Sequence, residues 1–240
     1  MKPFPSKGYS IKNQANNHME FFLFDEIGAD NYWDADAITP ARIAKDLKEA
    51  GPSLQSIDVF INSPGGSVFA ATAIHSLFKN HQAYVRVEIL GLAASAASIV
   101  AMAGNLIEID NLAMIMIHRP YTFSAGNADD LRHDASLLDQ VESVILRAYM
   151  GQIGKRGAKT TEGQLAAMLS AETWLGAQQA YDVGLVDKVS EGFQAAACFD
   201  LRKFQYKNVP PAALRQRDDS AIQSKLIDMR IRSMRARAGG

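Results

Sequence analysis

The chain has 240 residues, 48% of them apolar, with a formal net charge of −1, the composition of an ordinary core-forming globular protein with one large domain and room for an appendage. It has no apolar run of the ~18 residues that a membrane-spanning helix needs, and the polar start MKPFPSKGYSIKNQANNH lacks the apolar middle of a secretory signal, so a cytoplasmic protein with no membrane partner is expected. The single cysteine, Cys198, excludes an internal disulfide and has no companions at metal-ligand spacing, so it reads as a small apolar residue.

Residues 1–18 read as a flexible N-terminal segment ahead of a domain over 19–200. The runs 19–27 (MEFFLFDEI) and 57–62 (IDVFIN) have strand length and apolarity, and 84–89 (YVRVEI) alternates as a half-buried strand does. Between the first two, TPARIAKDLKEAG is a punctuated helix, with Thr39 as N-cap, Pro40 at the first helical position and Gly51 as the stop. Helices near 67–79 and 95–103 follow strands in the same way, and strands near 106–109 and 113–118 come next. A long helix over 127–153, with acids in its first turn, would be about 40 Å long and would overhang a domain of this size, so it is expected to pack on a second subunit. Short helices near 162–169 and 176–182, the latter closed by Gly184, and a strand near 185–189 complete the domain. Alternating strand, turn and helix predicts an α/β fold of repeated strand-turn-helix units with layered sheets and a projecting helix.

Residues 202–240 hold ten Lys/Arg and three Asp, a balance of +7 against −8 for residues 1–201, and the shift marks a basic C-terminal appendage over 201–240. It reads as a solvated charge run rather than a nucleic-acid arm, so nucleic acid is not an expected partner.

Three stretches carry chemistry. In INSPGGSVFAA (61–71) a strand runs into a Pro64-Gly65-Gly66 turn, which reads either as a plain turn or as an anion-binding concavity of exposed amides. In GLAASAASIVAMAG (91–104) Ser95 stands at a helix start, where a hydroxyl is either an ordinary N-cap or a nucleophile beside the next residue's amide. Ser98, one turn on, reads as a filler bonding back to a carbonyl. In LAMIMIHRP (112–120) His118 closes an apolar strand, and Arg-Pro leaves its ring at the strand mouth. His18, His75, His81 and His133 have no such setting, so His118 is the candidate base.

Taken together, SPGG, then GLAASAAS beginning 25 residues after Gly66, then MIHRP, then SAETWLGAQQAYDVGLVD resemble the ClpP-type serine peptidases, and most closely the relatives encoded by tailed phages and prophages. The likeness covers about residues 20–190, with Ser95 standing 29 positions beyond Gly66 as in that family. It implies the ClpP/crotonase-like fold, with Ser95 as nucleophile, His118 as general base, and the Gly66 and Ala96 amides as oxyanion hole. It further implies Glu172 as the triad acid, where ClpP itself usually has aspartate; Asp182 and Asp187 remain alternatives, and Asp187 also reads as a structural cap after Val186. Trp174 reads as core packing. Peptide substrate is implied to pair at Gly65 and Gly66 and along PYTFSAGNADD, with Tyr121 and Phe123 as binding residues, and Gly126 would let the chain turn into the long helix. The resemblance implies no metal or cofactor, a homo-oligomer of stacked rings, and cleavage of capsid or scaffold precursors during phage head maturation in the host cytoplasm. The alternatives are a housekeeping peptidase fed by an unfolding ATPase, an inactive assembly ring, and a crotonase-type enzyme holding an enolate on backbone amides.

Overall fold

A computed structural model describes residues 8–14, 17–28, 38–191, 201, 204–211 and 213. Cys198 and the basic end MRIRSMRARAGG lie outside the described residues. The elements are β1 (Gly8–Gln14), β2 (His18–Phe24), α1 (Pro40–Ala50), β3 (Ser56–Ser63), α2 (Val68–Lys79), β4 (Tyr84–Ala94), α3 (Ala96–Ala101), β5 (Leu106–Asp110), β6 (Met114–Ile117), α4 (Ala128–Lys155), α5 (Glu162–Ser170), β7 (Thr173–Gly176), α6 (Ala177–Val183) and β8 (Lys188–Ser190). The α/β class follows, with no helix among the described residues long and apolar enough to cross a membrane.

The eight strands hydrogen-bond into one sheet of order β1-β2-β3-β4-β5-β8, so the expected layering takes the form of a branch. Strand β4 makes this possible by its length. Its first half pairs in parallel with β3 and β5, while its second half, Leu92–Ala94, pairs with β6, which in turn pairs antiparallel with β7. The sequence reading ended this strand near residue 89, because GLAA lacks the large alternating side chains that mark a strand. Those small residues are what let α3 and the Gly65 turn approach β4 closely.

Helix α1 forms as its punctuation predicts: Thr39 Oγ1 accepts from the Arg42 N–H at 3.3 Å, Pro40 leads, and Gly51 stops it at φ 76°. The core lies between the sheet and the helices, with Phe21, Ile57, Val87 and Ile107 from the strands against Ile43, Ile74 and Val100 from the helices. The segment expected to be flexible differs in structure. Residues Gly8–Gln14 pair antiparallel with β2, and Tyr9 and Ile11 pack on the core. Two apolar residues in seven give little sequence signal, but the open edge of β2 supplies backbone partners.

Helix α4 has 28 residues, an axial length of about 42 Å. Its buried residues, Val141, Ile145, Tyr149, Gln152 and Ile153, all lie from its midpoint onward, whereas Leu131 and Leu137 nearer its start are exposed. The helix is anchored at one end and projects at the other.

Asp187 closes the fold rather than the site. Its Oδ2 accepts from the Ile107 N–H at 2.7 Å and from the Arg156 guanidinium at 2.5 Å. Removing it leaves the largely buried Arg156 guanidinium without its carboxylate, with only the neutral acceptors Gln152 Oε1 and Gly184 O, so Asp187→Ala is expected to lower unfolding stability by about 3 kcal/mol while leaving the Ser95 site intact. Urea titration followed by circular dichroism checks the loss; a change below about 0.5 kcal/mol would contradict it.

Candidate active site

Sheet register alone brings three residues to one strand end. Parallel pairing of Ala94 with Met116 sets Ser95 beside the exit of β6, and the Ser95 N–H donates to Met116 O at 2.8 Å. Antiparallel pairing of Ile117 with Thr173 places the next residue on one strand, His118, opposite the preceding residue on the other, Glu172. The sequence reading lacked β7, and with it the reason Glu172 stands opposite the histidine.

Ser95 sits at the N-cap position of α3, yet its side chain makes no cap hydrogen bond. Instead its Oγ lies 2.7 Å from His118 Nε2. Its backbone is at φ 52°, ψ −121°, a region that non-glycine residues rarely occupy and that stores roughly 1–3 kcal/mol of strain. A sharp strand-to-helix turn of this kind pushes the hydroxyl out of the chain's path. Ser98 locks the turn: buried, it donates to Ser95 O at 2.5 Å and pairs with the Tyr149 hydroxyl at 2.7 Å. The filler reading of Ser98 thus acquires a purpose.

The Pro64-Gly65-Gly66 turn lies against Ser95. Gly65 and Gly66 have φ of 101° and 137°, and a Cβ on Gly65 would stand 2.6 Å from Ala94 O and 2.9 Å from Ser95 Cβ. Gly66 forms a parallel bridge with Ile27 in which Ile27 N donates to Gly65 O at 2.6 Å and Ser67 N donates to Ile27 O at 2.7 Å. In such a bridge the central residue's own N–H faces away from the partner. The Gly66 amide is therefore directed away from Ile27, and Gly66, Ser95, Ala96 and His118 line one cavity of about 620 Å³. The amide of Ala96, first residue of α3, has no intrahelical acceptor.

Burial holds the His118 pKa below its ordinary value, and the negative charge of Glu172 opposes that shift. Glu172 is buried and has φ 51°. No hydrogen bond joins it to the His118 ring among the described residues; its Oε1 accepts from the Lys207 and Asn208 backbone N–H groups at 2.6 and 2.7 Å, with the Trp174 indole N–H at 3.4 Å. Asp182 pairs with Gln178 and Asp187 with Arg156, so neither turns to His118.

Trp174 packs, half-buried, on the cluster of Leu92, Ala94, Met116 and Leu201, in keeping with its reading as core packing, and meets the Tyr206 ring edge-on at 5.9 Å. The exposed Tyr121 and Phe123 also line the cavity, Tyr121 with its ring 5.7 Å from that of His118. At Gly126 a Cβ would lie 2.7 Å from the Asp130 side chain, so space rather than backbone angle explains this glycine. Sequence reasoning missed Tyr206 altogether, because it lies in the segment read as a solvated appendage.

A hydroxyl on an uncharged imidazole, with amide donors beside it, is equipped for acyl transfer. By comparison with known proteins, the chain belongs to the Clp protease family, whose model matches residues 12–192. Over 142 residues it is 34% identical to an ATP-dependent Clp protease proteolytic subunit-like protein of Streptomyces coelicolor, covering 58% of this chain and 65% of that protein. It is 29% identical over 147 residues to ATP-dependent Clp protease proteolytic subunit 1 of Leifsonia xyli, covering 60% of this chain and 72% of the relative. A Bacteroides fragilis proteolytic subunit is 28% identical over 137 residues, 56% of this chain and 64% of the relative. The match thus spans less than two thirds of the first and third of these relatives.

Proposed function

We propose that the protein is a serine endopeptidase in which Ser95, His118 and Glu172 form the triad and the Gly66 and Ala96 amides the oxyanion hole. The observation that carries this reading is the 2.7 Å approach of Ser95 Oγ to His118 Nε2 at a cavity that both amide-bearing residues line. As Oγ bonds to the scissile carbonyl carbon, its proton passes to Nε2 and the carbonyl electron pair becomes an oxyanion held by the two amides. Collapse breaks the C–N bond, His118 returns the proton to the leaving amine, and water repeats the sequence on the acyl-enzyme. Glu172 stabilises the transient imidazolium by its charge. Crotonase-type chemistry has no use for a serine-histidine pair.

For substrate we propose capsid or scaffold precursors, on the strength of the motif likeness to the phage group. Exposed Phe123, Leu131 and Leu137, on the projecting part of α4 and the segment before it, support a homo-oligomer, the ring arrangement implied by the resemblance. The names of the relatives, ATP-dependent proteolytic subunits, favour a second reading in which an unfolding ATPase feeds the site. Incubation of wild type and Ser95→Ala with an unfolded protein, and with any capsid or scaffold precursor encoded beside it, tests both. Fragments from the precursor without an ATPase support the first; precursor left intact while unfolded chains are cut removes the processing role.

The pH dependence has a definite sign. The base must be neutral, so activity rises with pH through the His118 pKa, and burial sets that midpoint below the ordinary histidine value of about 6.5. Rates of active-site acylation against pH should show it; a midpoint above about 7 would contradict the assignment.

A further inference from the structure

The start of the C-terminal segment is part of the site. Leu201, Phe204, Tyr206 and Val209 pack with Leu92, Ala94, Met116 and Trp174, at the junction of β4, β6 and β7. The segment therefore crosses the end of the strands that deliver Ser95, His118 and Glu172. Two of its backbone amides donate to one oxygen of Glu172 at 2.6 and 2.7 Å, holding that carboxylate in place. The Asn208 side chain donates to Ala171 O at 2.8 Å, tying down the backbone just before Glu172. The Tyr206 hydroxyl donates to Pro64 O, in the turn that precedes Gly66, and its ring meets His118 edge-on at 5.5 Å.

We propose that Tyr206–Asn208 is a positioning segment of the catalytic site: the Lys207 and Asn208 amides hold Glu172 where its charge acts on His118, and the Tyr206 hydroxyl braces the oxyanion turn through Pro64. The inference rests on the peptidase reading above. Glutamate supplies the need for such a device. A longer carboxylate that makes no hydrogen bond to the imidazole has more rotamers to lose, and the paired amides select one of them. Tyr206, whose hydroxyl also comes within hydrogen-bonding reach of the Ser95 side chain, and Phe204 form part of the wall of the 620 Å³ cavity that remains open beside Ser95.

The test is the second-order rate of acylation by a fluorophosphonate probe between about pH 5 and 9, on the full chain and its variants. Glu172→Gln should slow acylation about 100-fold and, by removing the charge that raises the His118 pKa, move the rising limb to lower pH. Lys207→Pro, which deletes one amide donor, should slow acylation at least about tenfold with the same displacement of the limb. Combined with Glu172→Gln it should add no further loss, because both act through one carboxylate. Lys207→Ala restores the amide and should recover the rate relative to Lys207→Pro. Tyr206→Phe, which deletes one oxygen and leaves the packing, should slow acylation about three- to tenfold.

A rate for Lys207→Pro equal to or above wild type, or a loss that adds fully to Glu172→Gln with the limb unmoved, overturns the proposal. If Lys207→Pro fails to fold, Tyr206→Phe decides, and an unchanged or faster rate contradicts it. Wild-type protein that never acylates at Ser95 would instead remove the peptidase reading itself, a result distinguishable from labelled wild type with indifferent variants.

Discussion

Replacing Ser95 by alanine is expected to lower peptide hydrolysis by about 10⁵-fold or more while leaving the fold in place. The size follows from the site's geometry. His118 Nε2 sits 2.7 Å from that hydroxyl, placed to take its proton, and without that oxygen there is no acyl-enzyme route. The residual rate is what the oxyanion hole and binding give to direct attack by water. The fold is spared because the Ser95 hydroxyl caps no helix, while the contacts that hold the turn, Ser95 N–H to Met116 O and Ser98 Oγ to Ser95 O, involve atoms alanine keeps. Hydrolysis of an unfolded substrate and a thermal melt, run together, measure both halves. Cleavage by the variant at the wild-type rate would remove Ser95 as nucleophile.

Gly66→Ala should damage rate and stability at once. The new Cβ would stand 2.0 Å from Ile27 O and 2.9 Å from Glu26 Cγ, and the backbone is at φ 137°, which L-residues rarely adopt. The obstacle is main chain, so no rotamer change relieves it. Either the Gly66 peptide rotates, taking its N–H off the oxyanion position, or the Ile27 bridge opens. Loss of one such donor costs about 3 kcal/mol of transition-state stabilisation, so hydrolysis should fall about 100-fold or more. The strain and the lost bridge should cost about 3 kcal/mol of folding stability, or roughly 6–12 °C in Tm for a chain of this size. A variant within tenfold of wild-type rate and about 2 °C of its Tm would mean that Gly66 neither shapes nor supplies the oxyanion hole.

How much of this was legible in the sequence depends on which physical signal each part uses. Helix α1 was readable to the residue because Thr39, Pro40 and Gly51 act locally, through one side-chain cap, one fixed φ and one left-handed stop. Ser95 and His118 were readable as the ends of local elements, although only geometry shows that the Ser95 hydroxyl makes no cap and faces His118. Strand β7 was not, since four residues that reach Trp174 and Leu175 inside a helix-rich stretch carry no periodicity, and its pairing with β6 is fixed at long range. The largest miss was the C-terminal segment. A composition-based boundary at residue 201 weighed the charges over 202–240 and overlooked Phe204, Tyr206 and Val209, whose place is set by contact with residues thirty or more positions earlier. Backbone amides, such as those of Lys207 and Asn208, have no sequence signature at all.

Mapping the adduct after stoichiometric fluorophosphonate treatment probes the site most directly. One phosphonyl group per chain on the peptide containing Ser95, lost in His118→Ala, is the predicted result. Modification elsewhere, or none in wild-type protein, would contradict a hydroxyl activated by that imidazole.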